Sequence, residues 1–155
     1  KHLYPENIKK CKYIFDYFFT NGKKFDLLAA AYLNTFNFEK TLGGKRIFPM
    51  NPKEFANYQW HHDGDFKTLK FFFLLTELKI DGQKMDYLPG THKSFNSHHN
   101  KILDKNNILL NKKNKISLIG NPGDCYIFDG NGFHRGNRNN SYIRDIITIQ
   151  YRVLY

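Results

Sequence analysis

The chain has 155 residues, 41% of them hydrophobic and 25% charged; that is enough for one sizeable core, too few residues for two ordinary domains, and too apolar for a disordered chain. Aromatic residues reach 17%, led by 15 Phe and 10 Tyr, which favours a β-rich core, and apolar runs such as Phe71 to Leu75 fall far short of the ~20 residues that span a bilayer. Lys and Arg outnumber Asp and Glu by 24 to 14, a net charge of +10, which could draw nucleic acid, anionic membrane or acidic metabolites.

The lysines are spread along the whole chain beside abundant Asn, Ile, Phe and Tyr. That is the pattern of an AT-rich coding bias, and diffuse lysine solvates a surface more often than it grips a polyanion. Nucleic acid is therefore not the expected partner, nor is a membrane. No charged-then-apolar leader opens the sequence, which begins at Lys1 rather than Met and leaves room for residues upstream. Cys11 and Cys125 are too few for a disulfide framework and lack metal-ligand spacing. Two reduced, partly buried thiols fit a cytoplasmic protein, with a single bridge as the alternative.

From Glu6 to Thr20, apolar Ile8, Cys11, Ile14, Phe15 and Phe18 recur at three- and four-residue spacing, and Asn21-Gly22 supplies a stop, so a helix is expected. A second helix is expected from about Asp26 to Asn34, and Gly43-Gly44 should break the pattern. Strand signals follow: a short one at Arg46 to Phe48, an aromatic one at Phe55 to His61, and a nearly all-apolar one at Leu69 to Leu75 that reads as buried on both faces. Met85 to Leu88 should be a short strand closed by Pro89-Gly90. The polar stretch from Ser94 to Asn114 reads as a surface insertion. Strands resume at Lys115 to Ile119, Asn121-Pro122-Gly123-Asp124 is a strong turn signal, and Cys125 to Phe128 and Tyr142 to Val153 complete the set. The expected organisation is one domain, mainly β, with residues 1–44 as helical support and 45–155 as a sandwich or barrel carrying a polar insertion at 94–114.

The most informative stretch is Trp60-His61-His62-Asp63-Gly64-Asp65. In a strand, residues i and i+2 share a face, so His61 and Asp63 would present an imidazole and a carboxylate side by side. His134, directly after a strand and flanked by glycines, is the best third ligand. Two histidines and one carboxylate on one face of a metal leave the opposite face open, the pattern of non-haem Fe(II) oxygenases. Such a triplet also arises by chance, and an exposed polar turn is the competing reading. Arg144, ten residues beyond His134, weighs against that alternative. A guanidinium makes two parallel bonds to a carboxylate, and the apolar flanks Ile143 and Ile146 to Ile149 ask for a buried partner rather than a surface pairing with Asp145.

Taken together, five segments resemble the phytanoyl-CoA dioxygenase-like branch of the Fe(II)/2-oxoglutarate oxygenases. They are Trp60 to Gly64, Leu69 to Leu78, Tyr87-Leu88-Pro89-Gly90-Thr91-His92-Lys93, Pro122-Gly123-Asp124, and Phe128-Asp129 through His134-Arg135-Gly136 to Arg144. They stand in the family's order across roughly residues 55–153. The resemblance implies a double-stranded β-helix (jelly-roll) core, Fe(II) on His61, Asp63 and His134, 2-oxoglutarate on Arg144, and O2 as co-substrate. It implies hydroxylation of a C–H bond in a small molecule, since the halogenating members lack the carboxylate that Asp63 supplies; the charge favours an anionic substrate.

The chain departs from the family pattern at Gly136, where many members carry Ser or Thr, at Gly82-Gln83 in place of Gly-Pro, and in a distal His-to-Arg spacing one residue shorter than in some members. Three more residues are candidates. Tyr58 and His62 could touch co-substrate, although core packing for Tyr58 and a structural role for His62 compete. Lys70, a charge entering an apolar strand, could meet an acidic substrate or a carboxylate inside the barrel. A modifier of nucleic acid or protein on the same scaffold, and a non-enzymatic metal-binding jelly roll, are the rival functions.

Overall fold

A computed structural model of the chain describes residues 2–3, 16–18, 22–49, 60–64, 66–94, 115–137 and 142–154. Residues 16–18 are helical, and the rest of the helix expected over Glu6 to Thr20 lies outside the described residues. The same holds for most of the strand expected at Phe55 to His61, for Cys11, and for nearly all of the polar insertion.

Helix α1 runs Lys23–Leu33, three residues ahead of the expected start. Phe25 in its first turn packs edge-on against Phe71 and Phe73 of the sheet below, so the helical face begins there. Asp26 sits in the first turn, where a carboxylate favours the helix dipole. Asn34 ends the helix in the left-handed region, φ 57°.

Eight strands lie among the described residues, one ahead of α1 and seven after it: β1 His2–Leu3, β2 Phe38–Ile47, β3 Thr68–Leu74, β4 Met85–Tyr87, β5 Ile116–Leu118, β6 Cys125–Asp129, β7 His134–Gly136 and β8 Arg144–Val153. They form an antiparallel five-stranded sheet in the order β1-β2-β8-β3-β6 and a three-stranded sheet in the order β5-β4-β7. From β5 to β8 the strands alternate between the two sheets, the winding of a double-stranded β-helix, as expected.

Two expectations are corrected. Gly43-Gly44 does not break the chain, and the strand there is not confined to Arg46 to Phe48. Both glycines lie inside the ten-residue β2, which pairs with β8 over its whole length, from Phe38↔Val153 to Ile47↔Arg144. That ladder overrides the weak strand preference of two glycines. Cys125, expected to be partly buried, is a free and exposed thiol. No helix among the described residues is long and apolar enough to cross a membrane.

The large sheet is covered on both sides at its central strands, which explains the apolar runs in β3 and β8. One face, carrying Leu69, Phe71, Ile147, Ile149, Tyr151 and Val153, packs under α1 with Phe18, Ala29 and Leu33. Polar clasps reinforce this layer: Asp26 accepts hydrogen bonds from Lys40 Nζ at 2.7 Å and from the Tyr151 hydroxyl at 2.6 Å. The other face, with Phe72, Leu74, Phe128 and Ile146, meets Met85 and Leu118 of the small sheet. Phe71 is fully buried between Phe25 and Tyr151. Phe71→Ala is expected to cost about 3–5 kcal/mol of stability, read from urea unfolding at neutral pH; a loss under 1 kcal/mol would contradict this packing.

Candidate metal centre

His61 and His134 are far apart in sequence but directly opposite each other in an antiparallel bridge. His61 N donates to His134 O at 3.0 Å, and His134 N donates back to His61 O at 2.9 Å. Residues opposite one another in such a pair point to the same face, so the two imidazoles converge, with ring centroids 4.4 Å apart. Asp63, two residues on, falls on that face as well, and its N–H is tied to Gly130 O at 2.9 Å. One ligand atom from each of His61, Asp63 and His134 lies within 4.8 Å of the others.

The donor set fits a divalent cation. His134 Nδ1 is 2.9 Å from Gly132 O. A carbonyl can only accept, so Nδ1 carries the proton and Nε2 presents its lone pair to the site, 3.5 Å from Asp63 Oδ2. Asp63 is exposed through its backbone, while its side chain is 19% exposed and meets Lys70 Nζ at 2.7 Å. Burial alone would push the Asp63 carboxyl up. The neighbouring His134 ring and the Lys70 charge outweigh it and hold the group far below the usual carboxylate range. It is therefore an ionised, ligand-ready oxygen donor across the physiological range.

The triad opens onto a cavity of ≈ 430 Å3 between the sheets, a size suited to a small molecule. Strand alternation lines it. Thr41, Gly43, Lys45 and Ile47 of β2 and Arg144, Ile146, Thr148 and Gln150 of β8 face inward, with Lys70 and Phe72 of β3 beside them. Gly43 leaves open space where a side chain would stand. Arg144 is 6% exposed. Its Nη1 donates to Gln83 O at 2.6 Å, and its guanidinium lies 5.9 Å from the Phe72 ring centroid. Asp145, the alternative partner considered for Arg144, faces the other way and takes two bonds from Arg46, at 2.9 and 2.7 Å.

The structure thus brings His61, Asp63, His134, Lys70 and Arg144 to one cavity. It does not bring His62 there: that ring is buried against Phe133, with Nδ1 3.2 Å from Gly64 O. Strand alternation turns it to the opposite face, so the proposed co-substrate contact gives way to packing. Tyr58 lies outside the described residues. The cavity polar residues Thr41, Lys45, Thr148 and Gln150 escaped the sequence reading. Inward alternation along β2 and β8 was the available signal, and it needed the pairing of the two strands to be read.

Fold and site together define a double-stranded β-helix protein with a two-histidine, one-carboxylate centre. No protein-family model matches the chain, and no curated protein matches it. Among solved structures, the chain is similar to EvdO2 from Micromonospora carbonacea var. aurantiaca complexed with 2-oxoglutarate, at TM-score 0.70 and 16% identity over 99% of this chain and 67% of that one. It is also similar to SnoN, a non-haem alpha-ketoglutarate-dependent epimerase from nogalamycin biosynthesis, at TM-score 0.64 and 15% identity over 83% of this chain and 54% of that one. A third is EctD from S. alaskensis with bound Fe, at TM-score 0.55 and 16% identity over 76% of this chain and 45% of that one. These likenesses establish the fold. The chain spans about two thirds of the length of EvdO2 and about half that of the other two.

Proposed function

We propose that the protein is an Fe(II)- and 2-oxoglutarate-dependent oxygenase that hydroxylates a C–H bond of a small, anionic molecule in the cytoplasm. One observation carries this reading: His61, Asp63 and His134 converge at a cavity whose wall also holds the buried Arg144. Fe(II) held there would supply O2 activation, with 2-oxoglutarate as the two-electron reductant, oxidised to succinate and CO2 while one oxygen atom enters the substrate.

The chain's own residues do the rest. His61 and His134 offer imidazole nitrogens and Asp63 an ionised oxygen. Arg144, anchored by Gln83 O, would meet the far carboxylate of 2-oxoglutarate. Phe72, Phe128, Met85 and Ile146 exclude water from the space between. Lys45 and Lys70 make the cavity basic, and Asp63 is the one acidic residue among those that line it; an anionic substrate suits that balance.

The test is an anaerobic Fe(II) titration with and without 2-oxoglutarate. A visible charge-transfer band requiring both supports the oxygenase, and its absence favours a non-enzymatic metal-binding jelly roll. Succinate release screened over a metabolite panel then identifies the substrate. Arg144→Lys keeps the charge but loses the planar fork. It should weaken 2-oxoglutarate binding to the Mn(II)-loaded protein about 10- to 100-fold by calorimetry, with Mn(II) affinity unchanged. Equal 2-oxoglutarate affinity would remove Arg144 from the site.

A further inference from the structure

Thr68, the first residue of β3, is 2% exposed, and its Oγ1 is buried without a hydrogen-bond partner among the described residues. Buried hydroxyls are seldom left so. The atom is aimed at a specific place. A Cβ at Gly130 would stand 2.3 Å from Thr68 Oγ1 and 2.6 Å from Asp63 Oδ2, too close for either. The hydroxyl and the carboxylate oxygen therefore flank the same point above the Gly130 backbone, and only the missing side chain lets them approach it. Gly130 also holds the Asp63 N–H through its own carbonyl. A hydroxyl is a donor and an ionised carboxylate is only an acceptor.

We propose that Thr68 is a positioning residue whose hydroxyl donates to the Asp63 carboxylate once a metal at the triad draws that carboxylate from Lys70, and that residue 130 is glycine because any side chain would fill the gap this interaction needs. The inference rests on the metal-centre reading. Lys70 occupies Asp63 Oδ2 at 2.7 Å, and a divalent cation at the triad would compete with that ammonium for the carboxylate. The Thr68 hydroxyl then supplies the orienting bond that a ligating carboxylate needs from its surroundings.

The experiment measures Mn(II) affinity by electron paramagnetic resonance, with no turnover involved, on wild type, Asp63→Asn, Thr68→Val, Thr68→Ser and Gly130→Ala. Thr68→Val keeps the shape and loses the hydroxyl, and should weaken Mn(II) binding about 10- to 100-fold. Thr68→Ser should return it to within about threefold of wild type. Gly130→Ala, which keeps the hydroxyl but blocks the gap, should weaken binding at least as much as Thr68→Val, and it carries the test if the Val variant does not fold. In metal-free protein the Thr68→Val melting temperature should equal or exceed that of wild type, because the change removes a buried hydroxyl that has no partner.

Wild-type Mn(II) affinity in both Thr68→Val and Gly130→Ala, with binding lost in Asp63→Asn, overturns this inference alone. So does a lower melting temperature for Thr68→Val with unchanged Mn(II) affinity. Absence of Mn(II) binding by wild type overturns the metal-centre reading itself.

Discussion

Asp63→Ala is expected to abolish succinate release and to lower divalent-cation affinity about a thousandfold or more. The carboxylate is the one anionic donor of the triad and lies 2.7 Å from the Lys70 ammonium. Its removal takes away a ligand and leaves an uncompensated positive charge beside two imidazoles. At an effective dielectric near 20, a unit charge about 4 Å away is worth roughly 4 kcal/mol, and each 1.4 kcal/mol is tenfold in affinity. His134→Ala should also stop turnover, but with a smaller fall in cation affinity, because it removes a neutral ligand. Mn(II) titration and succinate detection by NMR check both. Full turnover in Asp63→Ala would reject the ligand assignment.

The second large effect is on stability. Asp86, in the middle of β4, is completely buried. Its neighbours on both sides answer it: Ser117 Oγ donates to Oδ1 at 2.8 Å, while Arg135 Nε and Asn137 Nδ2 donate to Oδ2 at 3.1 and 3.0 Å. Lys115 Nζ stands 3.7 Å away. The Arg135 guanidinium also lies 4.7 Å from the Trp60 ring centroid, so this network braces the residues that adjoin His61 and His134. Asp86→Ala strands the Arg135 charge and should cost about 3–5 kcal/mol. At roughly 2–4 °C per kcal/mol for a chain of this size, the melting temperature should fall by about 10 °C.

The pH dependence follows from the same group. Burial pushes the Asp86 carboxyl up, but hydrogen bonds from Ser117 and Arg135 and the charges of Lys115 and Arg135 outweigh it, and the net effect holds it below the usual value. The folded state thus prefers the ionised form. Its contribution is complete above the unfolded value near ~4 and is lost as pH falls through the lower folded one. Between pH 5 and pH 3 the wild-type melting temperature should fall more steeply than that of Asp86→Ala. Parallel curves would show that Asp86 does not set the acid limb.

Much of the site was legible in the chain because its signals are local. His61 and Asp63 stand two apart, so a strand must put them on one face. Arg144 interrupts an apolar run, so it must have a buried task. The double burial of β3 was legible for the same reason: an unbroken apolar segment needs cover on both faces. Long-range pairing was not legible. Gly43-Gly44 reads as a break because glycine disfavours strands, and only the full ladder with β8 makes it the middle of β2. Alternation alone points His62 away from the face of His61 and Asp63, but that Phe133 is what it packs against needed the fold.

By itself, the sequence determined the chemistry on offer: two imidazoles, a carboxylate and a guanidinium, each on a strand-like segment and in an order that resembles one oxygenase family. Only the tertiary structure decided that His61 faces His134 across a two-way backbone bridge, that Lys70 turns to Asp63, and that Gly130 lies where a side chain would crowd both Thr68 and Asp63. The physical reason is reach. Alternation and charge are properties of a few neighbouring residues, whereas register between distant strands is set by how a whole sheet buries both of its faces.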